Sequence, residues 1–184
     1  MKMDPLTKLE TQMQLEMYKQ IRLYFSATGI ALNKNWGWKH DRINKLLKET
    51  QKAWNECGKD NSKSMVELLE DETGVELQNG SGKSWREYAF LNNSHPLNKR
   101  QLSRQQIYFM RRQQMTWIGS LVLACILLGI HRREGFGSER IQRLYDQIIE
   151  IGNASKWNIE KLDSKLMELV GLSINDDFLK GAET

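Results

Sequence analysis

The chain is poor in the residues that announce specialised chemistry. It holds two Pro, two Cys and three His among 184 residues. So little Pro excludes collagen-like and Pro-rich classes, and two Cys exclude a disulfide-built scaffold. Cys57 and Cys125 lie far apart and match no CxxC pattern, so they read as reduced core thiols in a cytoplasmic protein. His40, His95 and His131 are not paired at helical spacing, and neither a zinc motif nor a nucleophile elbow occurs. The expectation is a non-enzymatic protein with no catalytic residue, no metal and no cofactor. Residues 1–33 show no basic-then-apolar start, so no signal peptide is expected. A chain of this length buries a full core without staples and reads as one domain.

One apolar run stands out. Met115 to Ile130 carries no charge. At about 1.5 Å per residue it spans about 24 Å, short of a hydrocarbon core of about 30 Å. Arg111 and Arg112 on one side and Arg132 and Arg133 on the other set no orientation. The run is predicted to be a buried helix, apolar all round, on which amphipathic helices pack. No membrane span is expected.

The periodicity around it is helical throughout. Asp4-Pro5 opens a helix to about Leu32, with Leu6, Leu9, Met13, Met17, Ile21, Tyr24, Thr28 and Ala31 on one face. A second helix follows to Cys57, with Ile43, Leu46, Leu47, Thr50 and Trp54 facing in. Ser64–Glu67 is a capping box opening a short acidic helix that ends at Gly74, and Ser84–Glu87 is another. Ser103–Gln106 is a third, opening a helix predicted to run unbroken to about His131 as the longest element of the fold. Ser138 is predicted to cap the next helix and Gly152 to stop it. A last helix covers about Ile159 to Val170, and the residues after Gly171 read as a loosely held acidic tail. The expected fold is all-α: a single helical domain over 1–184, with two helix-turn-helix hairpins packed around a long central apolar helix. Its parts are an N-terminal hairpin (1–58), an irregular insert with two short helices (59–98), C-terminal helices (99–170) and a tail (171–184).

The clearest internal signal is a repeat at an offset of 98. Gly37-Trp-Lys-His-Asp-Arg-Ile-Asn-Lys-Leu46 aligns with Gly135-Phe-Gly-Ser-Glu-Arg-Ile-Gln-Arg-Leu144. Each copy follows a long helix and reads as a tight turn into a second helix. Gly supplies the left-handed turn residue, the aromatic folds under the turn, and the acid sits where the next helix's dipole favours it. Arg42 and Arg140 are expected to face outward or reach the last carbonyls of the helix before. As surface groups, Arg42, Lys45, Arg140 and Arg143 form two equivalent basic patches. The outline is that of a helix-turn-helix DNA reader, but the turns do not match one.

Charge is unevenly spread. The net +4 hides a basic stretch, residues 99–143, with nine basic and two acidic residues, and acidic stretches at 67–98 and 144–184. Arg100, Arg104, Arg111 and Arg112 fall on or near one helix face, and Arg132 and Arg133 follow the apolar run. Arg favours planar contacts to phosphate or carboxylate, so the expected partner is acidic. Gly80-Ser-Gly-Lys-Ser84 has the ending of a phosphate-binding loop, but Leu77 stands where the loop needs its first Gly and no buried strand precedes it.

The sequence Leu127-Leu-Gly-Ile-His-Arg-Arg-Glu-Gly-Phe-Gly137, followed by Glu139-Arg-Ile-Gln-Arg-Leu144, resembles small accessory proteins carried by phages and prophages of Gram-positive bacteria. The resemblance covers about residues 120–150 and transfers no active site. It implies a regulatory, replication-linked or host-antagonist role in the cytoplasm of the bacterial host. The resulting expectation is a phage-type accessory protein. It binds nucleic acid, or a nucleic-acid-handling machine, through an Arg-rich surface. The alternative is an inhibitor or adaptor that binds a host protein directly, in an anti-defence role of the anti-CRISPR type. A homodimer is compatible with either.

Overall fold

The computed structural model describes residues 4–57, 65–77, 103–115 and 117–174. These form seven helices and no strand: α1 (Pro5–Trp36), α2 (His40–Cys57), α3 (Met65–Thr73), α4 (Arg104–Met115), α5 (Ile118–Glu134), α6 (Ser138–Ala154) and α7 (Ile159–Val170). The all-α expectation holds. Among the described residues no helix is long and apolar enough to cross a membrane.

The repeat extends well beyond the turns. α1 corresponds to α4 and α5 together, α2 to α6, and α3 to α7, at the offset of 98 that becomes 97 in the third helix. The third helices share their apolar positions: Met65, Leu69, Thr73, Val75 and Leu77 match Leu162, Leu166, Val170, Leu172 and Ile174, and all ten are buried. Gly74 and Gly171 end them in the same left-handed conformation. The described chain is thus two copies of a three-helix unit.

The two units interlock. α2 and α3 pack on α5, the long apolar helix of the other unit, while α6 and α7 pack on α1. Within each unit the first and second helices touch each other far less. The first helices run side by side in the same direction: Arg104 lies 3.8 Å from Asp4, and a Cβ on Gly119 would sit 3.2 Å from Gln20 Oε1. Two parallel helices related in this way imply an internal two-fold axis along them, with both turns at the same end.

Three expectations change. The 103–131 helix is not continuous: α4 stops at Met115, and Trp117, almost fully buried, takes the cap position of α5. α1, at 32 residues, is the longest helix instead. The apolar run is also not the sole centre. Residues Phe25–Leu32 are buried on every side, because small Ser26, Ala27, Gly29 and Ala31 let neighbours come close. A Cβ on Gly29 would lie 2.7 Å from Leu166 Cδ1 and 3.4 Å from Ile43 Cγ2. The central element is therefore the α1–α5 pair.

The ends follow local chemistry, with further corrections. Pro5 starts α1 as expected, but the Asp4 side chain makes no cap bond. Ser103 and Gln106 form the predicted capping box, with Gln106 N–H donating to Ser103 Oγ (3.3 Å) and Ser103 N–H to Gln106 Oε1 (2.8 Å). Ser138 is the first helical residue of α6, not its cap; Gly137 holds that place. α6 passes through Gly152 to Ala154, and Gly152 seats the Trp157 indole rather than ending the helix. Residues 172–174 are not loose: Asp163 accepts from Ile174 N–H (2.9 Å) and from Ser173 Oγ (2.8 Å), and Ile174 is wholly buried. The capping boxes at Ser64 and Ser84, His95 and the Gly80–Ser84 loop lie outside the described residues.

Candidate functional site

The two turns meet at the end of the internal axis. Gly37 and Gly135 have φ of 64°, the left-handed region that glycine enters without a Cβ clash. Their N–H groups return to Asn33 O (2.9 Å) and His131 O (3.1 Å). Asn33 and His131, themselves equivalent positions, make equivalent bonds. Asn33 Nδ2 donates to Trp38 O at 2.8 Å. His131 Nδ1 lies 2.7 Å from Phe136 O, and since a carbonyl only accepts, that nitrogen carries the proton. Trp38 and Phe136 are both 4% exposed, so the turn aromatics fold under as expected. They also touch each other across the units, with ring centroids 5.9 Å apart, and half-buried Trp36 meets Phe136 at 5.2 Å with the rings tilted by 47°.

Arginines surround this aromatic trio. Arg42 lies over the Trp38 ring at 3.9 Å, Arg140 lies 5.8 Å from Phe136, and Arg143 lies 5.8 Å from Trp36. Arg42 does not reach the end of α1. Its guanidinium faces outward, one of the two placements expected for it, and there crosses to the other unit to donate to Glu134 at 2.5 Å. Glu134 also takes Arg133 Nε at 3.2 Å, and only 15% of its side chain is exposed. Arg140, Arg143 and Lys45 are exposed and have no ion pair among the described residues.

A second ionic cluster lies beside the first. Arg132 Nε donates to Glu72 of α3 at 3.0 Å, and its Nη2 makes a second contact to the same carboxylate. His131 Nε2 is 3.8 Å from Glu72. The Arg132 hydrogen bond, helped by the charges of Arg132 and His131, holds the Glu72 carboxyl below its ordinary range despite partial burial. This cluster ties α3 to α5 and reads as structural.

Of the ten basic residues singled out by sequence, eight have described side chains, and these fall in two places. Arg42, Lys45, Arg132, Arg133, Arg140 and Arg143 gather around the paired turns. Arg104 and Arg112 sit on α4, exposed, toward the other end of the long helices. Arg100 and the Arg111 side chain lie outside the described residues. Sequence reasoning missed Trp36 and Glu134, which occupy equivalent places at the last residues of α1 and α5. The repeat contained the signal: extended one residue upstream of Gly37 and Gly135, it pairs Trp36 with Glu134.

Among the described residues no group of His, Cys, Asp and Glu could hold a metal. Cys125 is buried, and the Cys57 side chain lies outside the described residues. No family model, no curated protein and no solved structure matches the chain.

Proposed function

We propose that the protein is a non-enzymatic binding protein of phage accessory type, and that its turn end engages nucleic acid. One observation carries this reading. Three guanidiniums, those of Arg42, Arg140 and Arg143, lie against three aromatic rings, with Lys45 exposed one turn after Arg42; the carboxylates that the described ion pairs place at this end are Glu134 on Arg42, Asp41 on His40 and Glu72 on Arg132. Phosphate backbones are bound by such cations with counterion release. The alternative, direct capture of a host protein, draws on the opposite region. Leu15, Tyr18 and Phe109 are exposed apolar residues on the α1 and α4 helices, of a kind that protein partners cover.

The test is fluorescence anisotropy with labelled DNA and RNA at about 50 mM salt, a range in which phosphate contacts are strong. The expected result is binding that weakens steeply with salt. Arg140→Glu with Arg143→Glu should abolish it while circular dichroism stays unchanged. Arg104→Glu should leave more of it intact than that pair does. No binding by the wild type to any nucleic acid would overturn the reading and leave the host-protein alternative.

A further inference from the structure

The two-fold relation makes the turn end more specific than a basic patch. The axis emerges where Trp38 and Phe136, equivalent residues of the two units, touch with ring centroids 5.9 Å apart. Each unit brings the same two cation positions to that point: Arg42 and Lys45 from α2, and Arg140 and Arg143 from α6. The surroundings of the two pairs differ in one respect. At the end of α5 stands Glu134, and it reaches across to Arg42 while also holding Arg133. At the equivalent end of α1 stands Trp36, and Arg143 of the other unit lies 5.8 Å from its ring. An acid therefore occupies one side and an aromatic face the other.

We infer that the turn end carries two anion half-sites related by the internal axis. One, formed by Arg140 and Arg143 beside Trp36 and Phe136, is open; the other, formed by the equivalent Arg42 and Lys45, has its Arg42 taken by the chain's own Glu134, which also holds Arg133. The partner that fits them is a nucleic-acid duplex, and this inference rests on the nucleic-acid reading above. A duplex has a local dyad relating its two backbones, so a protein surface with the same symmetry sets matching cations against both strands. A single strand has no such symmetry. The Glu134 carboxylate stands where a phosphate oxygen of the second strand would be held, between two guanidiniums. It acts as an internal competitor that a backbone phosphate displaces.

The experiment is a salt titration of duplex and single-stranded DNA of one length, bound to the full chain and three variants. Glu134→Gln leaves Arg42 and Arg133 without their competing charge. It should tighten duplex binding about three- to tenfold and steepen the salt dependence by about one charge, the amount expected for one additional neutralised phosphate. Lys45→Gln and Arg143→Gln are exposed, equivalent positions that put no core packing at risk. Each should weaken duplex binding by a similar factor and reduce the salt slope by about one. If Arg143→Gln weakens binding and Lys45→Gln does not, only one half-site is used and the two-fold inference is wrong. It is equally wrong if the single strand binds as tightly as the duplex, or if Glu134→Gln, with unchanged thermal unfolding, fails to bind more tightly. Those results leave the nucleic-acid reading standing, whereas absence of wild-type binding to either DNA removes both.

Discussion

Single residues carry more of this structure than their types suggest, and Gly152 is the clearest case. It lies inside α6, and the Trp157 indole rests directly on it, so a Cβ there would clash with the ring. The turn that brings Trp157 back puts Lys156 and Trp157 at φ of 56° and 51°, a conformation that L-residues rarely adopt. The fold holds it with two bonds: Trp157 N–H to Gly152 O (2.7 Å) and Trp157 Nε1 to Asn153 Oδ1 (3.0 Å). Trp157 then meets Tyr24 of α1 edge to face at 5.2 Å. Burial there, with the negative charge that Tyr145 would add, pushes the Tyr24 phenol up to about 12. Gly152→Ala should therefore destabilise the protein by about 1–3 kcal/mol, as overpacking does. In a Trp157→Ala background the same change should cost almost nothing, which urea unfolding of the double-mutant cycle measures. An unchanged cost in that background would separate Gly152 from Trp157. Nothing in the sequence announces this role, since a Gly near a helix end reads first as a stop.

At the scale of elements, docking onto the other unit matters more than helix propensity. α3 has nine residues, too few to be stable alone, and it is held by Leu69 and its neighbours packed on α5 and by the Glu72–Arg132 pair. That pair makes a pH prediction. The folded Glu72 carboxyl titrates below its ordinary value of 4.5. A depressed carboxyl contributes stability that is fully present above the unfolded value and is lost as pH falls through the folded one. Wild type should then exceed Glu72→Gln in urea midpoint at pH 6, and the gap should close as pH drops below about 4.5. A gap that persists in acid would mean the pair acts by packing alone. The same scale explains the break between α4 and α5. No Pro or Gly lies between Ser103 and Ile118 to signal it, and the buried Trp117 marks the place where tertiary packing overrides helical periodicity. The seven predicted apolar positions of α2 and α7 that can be checked agree better: Ile43, Leu46, Leu47, Thr50, Leu162 and Leu166 are buried and Leu169 is half-buried. These helices have one wet and one dry face, which periodicity can report.

The described residues form two interlocked copies of a three-helix unit, packed on the α1–α5 pair rather than on one central helix. Because α2 and α3 bury their apolar faces on α5, and α6 and α7 bury theirs on α1, neither unit closes a core by itself. A protease site placed between residues 78 and 102, which join the units, should yield two pieces that stay together under native conditions and separate in denaturant. The melting temperature of the cut protein should fall on dilution, as expected when folding is linked to association. Two pieces that part in native buffer, each still helical, would show that the units fold independently.

Features set within a few residues of one another are legible along the linear chain. The helical class, the ends of α7, the Ser103 capping box and the two Gly-aromatic turns depend on spacing, caps and backbone conformation within a few residues, all of which are written in order along the chain. The ten-residue repeat also made the pairing of Arg42 with Arg140 and of Lys45 with Arg143 legible. What tertiary structure decided is everything that depends on which faces meet. It set the burial of Phe25–Leu32 on all sides, the break at Trp117 and the seating of Trp157 on Gly152. It also placed Glu134 between Arg42 and Arg133 across the two units. Burial and ion pairing depend on neighbours distant in sequence, as Arg42 and Glu134 are at 92 positions, or on a backbone turn that spacing does not announce, as at Trp157. Periodicity tells that a face will be covered, and only the packed chain tells by what.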